Sequence, residues 1–158
     1  MSSIGGQRSP IILAASNTAV PLTGTTNETA LATITIPANL MGANGSLRIY
    51  TLWSYTNSAN NKVLRARFGG IGGTAYLGQI FTTTAACSDM RIIANNNATN
   101  AQKGWNINGS LLGSSSGALA TGAVDTTAST TLVISGTLAN SGETITLEAY
   151  IVEFIPGV

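Results

Sequence analysis

From Ala30 onward, apolar and polar residues alternate in short stretches separated by clusters of Gly, Asn and Pro. A period of two is the signature of a half-buried strand, because successive side chains point to opposite sides of a sheet. Ala30–Ile36 is rich in β-branched residues and stops at Pro37, which has no N–H to give to a ladder. Ser46–Thr56 alternates cleanly, with Leu47, Ile49, Thr51, Trp53 and Tyr55 on one face and Arg48, Tyr50, Leu52 and Ser54 on the other. Lys62–Phe68 follows the polar run Asn57–Asn61, and the two strands are expected to pair as a hairpin.

Further strands are predicted over Thr74–Thr83, Met90–Ala94, Gly104–Leu112, Ser129–Ser135 and Glu143–Ile155. Ala86, Met90, Ile93 and Ala94 also fit helical spacing, but the flanking Thr residues and Asn95–Asn97 suit turns and favour a strand. Gly113–Ala128 is a low-complexity stretch of Ser, Gly, Ala and Thr, read as a long loop. About eight strands with polar turns describe an all-β chain, a single antiparallel β-sandwich of the jelly-roll type. Residues 29–158 are assigned to that domain and residues 1–28 to an extended N-terminal arm. For the apolar cluster Ile11–Leu13 two readings stand: a strand completing the domain's own sheet, or an anchor for a partner.

The last strand is apolar on both sides. With strict alternation, Ile145, Leu147, Ala149 and Ile151 share one face, and Tyr150, Val152 and Phe154 the other. A two-layer sandwich buries one face of each strand. The second face, Tyr150, Val152 and Phe154, is therefore expected to meet a neighbouring subunit.

Composition narrows the chemistry. The 158 residues include no His, a single Cys and 8% charged residues, against 44% hydrophobic ones. A chain of this size buries about 70% of its unfolded surface, enough for a core without disulfides or metals. Cys87 follows Ala85 and Ala86 and reads as a small buried apolar residue. A net charge of +1 lacks the basic excess of a nucleic-acid binder. The apolar runs are too short for a membrane span or for the core of a secretory signal. No nucleic-acid, membrane or cofactor partner is expected, and no enzyme activity.

The acids are Glu28, Asp89, Asp125, Glu143, Glu148 and Glu153. A glycosidase needs two carboxylates about 5–10 Å apart across a cleft. Glu148 and Glu153 fall on opposite faces under strict alternation, and Glu143 and Glu153 stand too far apart along one strand. Arg65 and Arg67 point the same way from one strand, available to an anion or acidic protein face, or to acidic residues on adjacent strands. Trp53, Trp105 and the four tyrosines read as core volume before a sugar-stacking platform. The sequons at Asn27, Asn44, Asn97 and Asn108 are turn chemistry first, and the glycines of Gly69–Gly73 lack the Lys-Ser/Thr of a phosphate loop.

Four segments carry a family resemblance: Leu31-Ala-Thr-Ile-Thr-Ile-Pro37, Met41-Gly-Ala-Asn-Gly-Ser-Leu-Arg-Ile49, Leu52-Trp-Ser-Tyr-Thr-Asn-Ser-Ala-Asn-Asn-Lys62 and Leu64-Arg-Ala-Arg-Phe-Gly-Gly70. Together with Arg91–Gln102 and Ser141–Glu148, they resemble a jelly-roll module of tailed-bacteriophage virion structural proteins. The resemblance covers most of residues 29–155 and implies a jelly-roll fold and homotrimeric assembly in a virion. Tail fibres of that class join a tip to a long shaft, and the expectation here is instead a capsid decoration (cement) protein. Its partners would be itself, as a homotrimer, and the major capsid protein, at the capsid surface. In that reading Arg8, Ile11, Ile12 and Leu13 contact the shell, Tyr150, Val152 and Phe154 form the trimer interface, and Arg65 and Arg67 are open to an ionic contact. The alternative is a receptor-binding head-fibre or tail-fibre tip that recognises host glycans through Gly113–Ala128.

Overall fold

The structure is a computed structural model that describes residues 9–105 and 119–157. Among these, eleven strands and no helix occur: β1 (Ile11–Ser16), β2 (Val20–Leu22), β3 (Thr29–Ile36), β4 (Ser46–Tyr55), β5 (Lys62–Phe68), β6 (Thr74–Phe81), β7 (Ala86–Asn95), β8 (Gln102–Gly104), β9 (Ala120–Gly122), β10 (Thr130–Leu138) and β11 (Ile145–Ile155). They form two antiparallel sheets. The larger has the order β1-β11-β4-β7-β8-β9, with β2 also paired to β11, and the smaller has the order β3-β10-β5-β6.

The pairing is nested. The first strands pair with the last, β3 with β10, β4 with β7 and β5 with β6. This is one long antiparallel ribbon rolled onto itself, which is the jelly roll. Rolling also explains why β4 and β5 do not form the expected hairpin. The polar residues between them cross from one sheet to the other, so β4 pairs with β11 and β7 while β5 pairs with β10 and β6. The tight hairpin is β5–β6, turned by Gly69 and Gly70 at φ of 90° and 89°. At Gly73 of the same turn, a Cβ would stand 1.9 Å from the Phe68 carbonyl oxygen.

The core uses the alternation read from β4, and β5 alternates in the same way. Leu47, Ile49 and Trp53 from β4 meet Leu64, Ala66 and Phe68 from β5, all fully or almost fully buried. Residues 86–95 are a strand, not a helix: all ten positions belong to β7, which lies beside β4 through nine paired positions. Residues 11–22, assigned above to the arm, supply β1 and β2 at the edge of the larger sheet. Ile11–Leu13 thus lie in a strand that completes the domain's own sheet. Only the start of the expected Gly104–Leu112 strand is described, as the end of β8.

β11 departs from strict alternation at one point. Leu147 lies opposite Trp53 and Ala149 opposite Leu52, so Glu148 is an extra residue on β11. Such a bulge reverses which residues face inward. Ile145 and Leu147 face the core before it, and Val152 and Phe154 do so after it.

Candidate functional site

With so few charged groups, the surface chemistry depends on where the charges are spent. Arg65 and Arg67 leave the outer face of β5 beside Ser135 of β10. Glu28, at the entrance to β3, meets both arginines. Arg67 donates Nε–H and Nη2–H to its two carboxylate oxygens at 2.7 and 2.9 Å. Arg65 Nη1 stands 3.3 Å from the same carboxylate and donates to Thr137 Oγ1 at 2.8 Å, and the Ser135 hydroxyl donates to Glu28 at 2.6 Å. Burial alone would raise the Glu28 carboxyl; the Arg67 hydrogen bonds, the Ser135 hydroxyl and the two arginine charges outweigh it and hold the group below its ordinary range. The pair singled out from the sequence is thus joined, and mostly answered, within the chain.

The other charges behave alike. Arg48 Nε donates to Glu153 at 2.7 Å across β4 and β11, with the guanidinium 5.6 Å from the Tyr50 ring centroid. Lys62 is fully buried, donating to the Ser58 hydroxyl at 2.9 Å, with Glu143 at 3.7 Å. Asp89 and Arg91, both inward on β7, form a buried pair. Glu148 accepts from Ser54, and Asp125 accepts from Thr127. Among the described residues, no group of three His, Cys, Asp or Glu side chains is placed to hold a metal ion. Cys87 is half-buried, and burial pushes its thiol up from the ordinary value. That environment suits a packing residue more than a nucleophile.

The residues expected to contact other chains divide. Arg8 lies outside the described residues. Ile11 and Ile12 are exposed on β1, 50% and 65% respectively, while Leu13 sits at a bulge in β1 and packs on the core. Val152 and Phe154 are buried in the chain's own core and Tyr150 packs against it. Val152 and Phe154 are therefore not a face open to a neighbour, because the bulge at Glu148 turns them inward; Tyr150 is only partly buried and borders a shallow hollow on the larger sheet.

The sequence reading missed the surface that replaces them. Outward positions on the larger sheet carry Ile151 and Ala149 from β11, Tyr50 and Leu52 from β4, and Met90 and Ile92 from β7. Leu52, Met90, Ile92 and Ile151 remain close to half exposed, as does Leu119 just before β9. Two shallow hollows lie side by side on this face. One, of about 330 Å3, is lined by Tyr50, Leu52, Met90, Ala149 and Ile151. The other, of about 370 Å3, is lined by Met90, Ile92, Lys103, Trp105 and Leu119. Exposed apolar residues gathered in this way on a sheet mark an interaction surface. The signal was present in the second apolar face of β11, but strict alternation assigned it to the wrong residues.

No protein-family model and no curated protein matches the chain. Solved structures similar to it include that of infectious bursal disease virus Gt strain, at 13% identity and a TM-score of 0.34, covering 98% of this chain and 34% of the other. The Gx strain of the same virus gives 11% and 0.33, covering 95% and 36%. The VP2 subviral particle of infectious bursal disease virus gives 12% and 0.32, covering 95% and 37%. The chain thus spans about a third of the length of these structures.

Proposed function

We propose that this protein is a bacteriophage capsid decoration (cement) protein, which binds the assembled head as a homotrimer and stabilises it by binding and not by chemistry. The observation that carries the reading is Ile11 and Ile12 on β1, both half exposed or more on a strand fixed by its ladder with β11. Exposed isoleucines on a flexible tail would lose entropy on docking, whereas a strand already held in a sheet presents them at little ordering cost. The family resemblance of residues 29–155 supports the same role, and the major capsid protein is the partner it implies. A ligand of the assembled shell stabilises it by mass action, and three copies on one trimer multiply a modest contact through avidity.

Removing residues 1–15 would also delete most of β1, so the test uses point substitutions. Ile11→Asp with Ile12→Asp should leave a folded trimer that no longer sediments with purified, undecorated heads. The unaltered protein should cosediment and raise the temperature at which heads release DNA. Normal decoration by the double variant overturns the anchoring role, and failure of the unaltered protein to bind heads overturns the function.

A further inference from the structure

We infer that the outer face of the larger sheet, centred on Leu52, Met90, Ile92 and Ile151, is where copies of this chain meet. This rests on the homotrimer proposed above and assigns its interface.

The balance of charge on that face favours a second copy as its occupant. Its outward charged residues are Arg48 and Lys103 against Glu148 and Glu153, two of each sign. Arg48 and Glu153 are already joined at 2.7 Å, and Lys103 donates to Asn96 at 2.8 Å. A face of single sign repels its own copy and suits an oppositely charged partner. A face balanced to zero meets its copy without repulsion, leaving apolar burial to drive contact. The outer face of the smaller sheet differs, with Arg65 and Arg67 against the single Glu28. Geometry agrees with a ring. A cyclic trimer needs two different patches on each copy. The larger sheet offers two neighbouring hollows, one toward Ile151 and one toward Leu119, with Met90 lining both.

The test is oligomeric state on dilution, by sedimentation equilibrium and native mass spectrometry, for the unaltered protein, Leu52→Glu and Ile92→Glu. Ile80→Glu, at an equally exposed isoleucine on the smaller sheet, is the control. Each of the first two substitutions should weaken association at least tenfold with an unchanged far-ultraviolet circular dichroism spectrum, and Ile80→Glu should not. Peroxide oxidation of Met90 in the unaltered protein gives a readout free of folding defects, with buried Met41 as the slow reference. Met90 should be protected at trimer concentrations and become reactive on dilution. A trimer that survives both substitutions, or in which Met90 reacts freely, overturns this interface and leaves the decoration role to the head-binding experiment. Protection of Met90 only after heads are added assigns the face to the capsid protein and also overturns it. A protein that is monomeric at all concentrations overturns the interface and the homotrimer together, whether or not it binds heads.

Discussion

Leu147 stands opposite Trp53 in the β4–β11 ladder, and the next matched pair is Ala149 with Leu52, which leaves Glu148 without a residue across from it. That single extra residue decides which apolar side chains of β11 are core and which are surface. Deleting Glu148 should join Leu147 to Ala149 in regular alternation, with both keeping their partners Trp53 and Leu52, so that Val152 and Phe154 stay inward. The deletion should therefore keep a cooperative urea transition and cost only about 1 kcal/mol, much as Glu148→Ala should by removing the Ser54 contact. Loss of the cooperative transition in the deletion variant would show that Glu148 is not the extra residue of the ladder.

The same residue marks where sequence reading ran out. Alternation within β4 sorted its residues into the two faces that the structure shows, one buried and one outward, because regular strands carry their burial in their spacing. The jelly-roll class followed from strand number and the family resemblance. Strand partners did not follow: β4 and β5 are close in sequence, yet the rolled ribbon sends them to different sheets. Bulges are likewise invisible to a strict period of two, so Val152 and Phe154, which are core, were placed on the outer side. The apolar outer face combines β11, β4 and β7, strands brought together by nested pairing alone. For Arg65 and Arg67, spacing gave their shared direction, but the carboxylate they meet comes from far away in sequence, at Glu28.

Glu28 makes stability depend on acid. Its carboxyl lies below its ordinary value of 4.5 when folded, so the unfolded chain binds the proton more readily. The contribution is fully present above pH 4.5 and is lost as pH falls through the depressed folded value. Because the group is partly exposed, solvent screens the ion pairs and the net contribution is modest, about 1–2 kcal/mol with its hydrogen bonds. Glu28→Gln should lower stability by that amount at pH 7 and leave a smaller loss between pH 4.5 and pH 2.5. Equal acid sensitivity of the two proteins, measured by urea denaturation across that range, would contradict the assignment.

Asp89 and Arg91 face inward from β7, joined by contacts of 2.7 and 2.8 Å, with side chains 5% and 3% exposed. Removing one partner strands a buried charge and costs about 3–5 kcal/mol, whereas replacing both with apolar residues of similar volume is often neutral. Asp89→Leu should therefore be strongly destabilising, and Asp89→Leu with Arg91→Met should recover most of the loss. Additive losses in the double variant, read from thermal or urea midpoints, would mean that the pair does not act as a unit.

Tyr76 is fully buried on β6 beneath the short β8–β9 ribbon, and its hydroxyl has no hydrogen-bond partner among the described residues. Burial pushes that phenol up to about 12, so it stays neutral. Two glycines allow the ribbon to lie this close. A Cβ on Gly122 would stand 2.5 Å from the Tyr76 hydroxyl oxygen, while one on Gly104 would stand 2.5 Å from the ring atom Cδ1. The two clashes differ in what relieves them. Gly122→Ala should cost about 1–3 kcal/mol by overpacking, and Tyr76→Phe, which removes only the hydroxyl, should relieve most of it. Gly104→Ala should cost at least as much and gain nothing from Tyr76→Phe, because its obstacle is the ring. Tyr76→Phe alone should be close to neutral, since it deletes an unpaired buried polar group. A double-mutant cycle on urea midpoints separates these cases, and equal rescue of both alanine variants would refute the packing described for the ribbon.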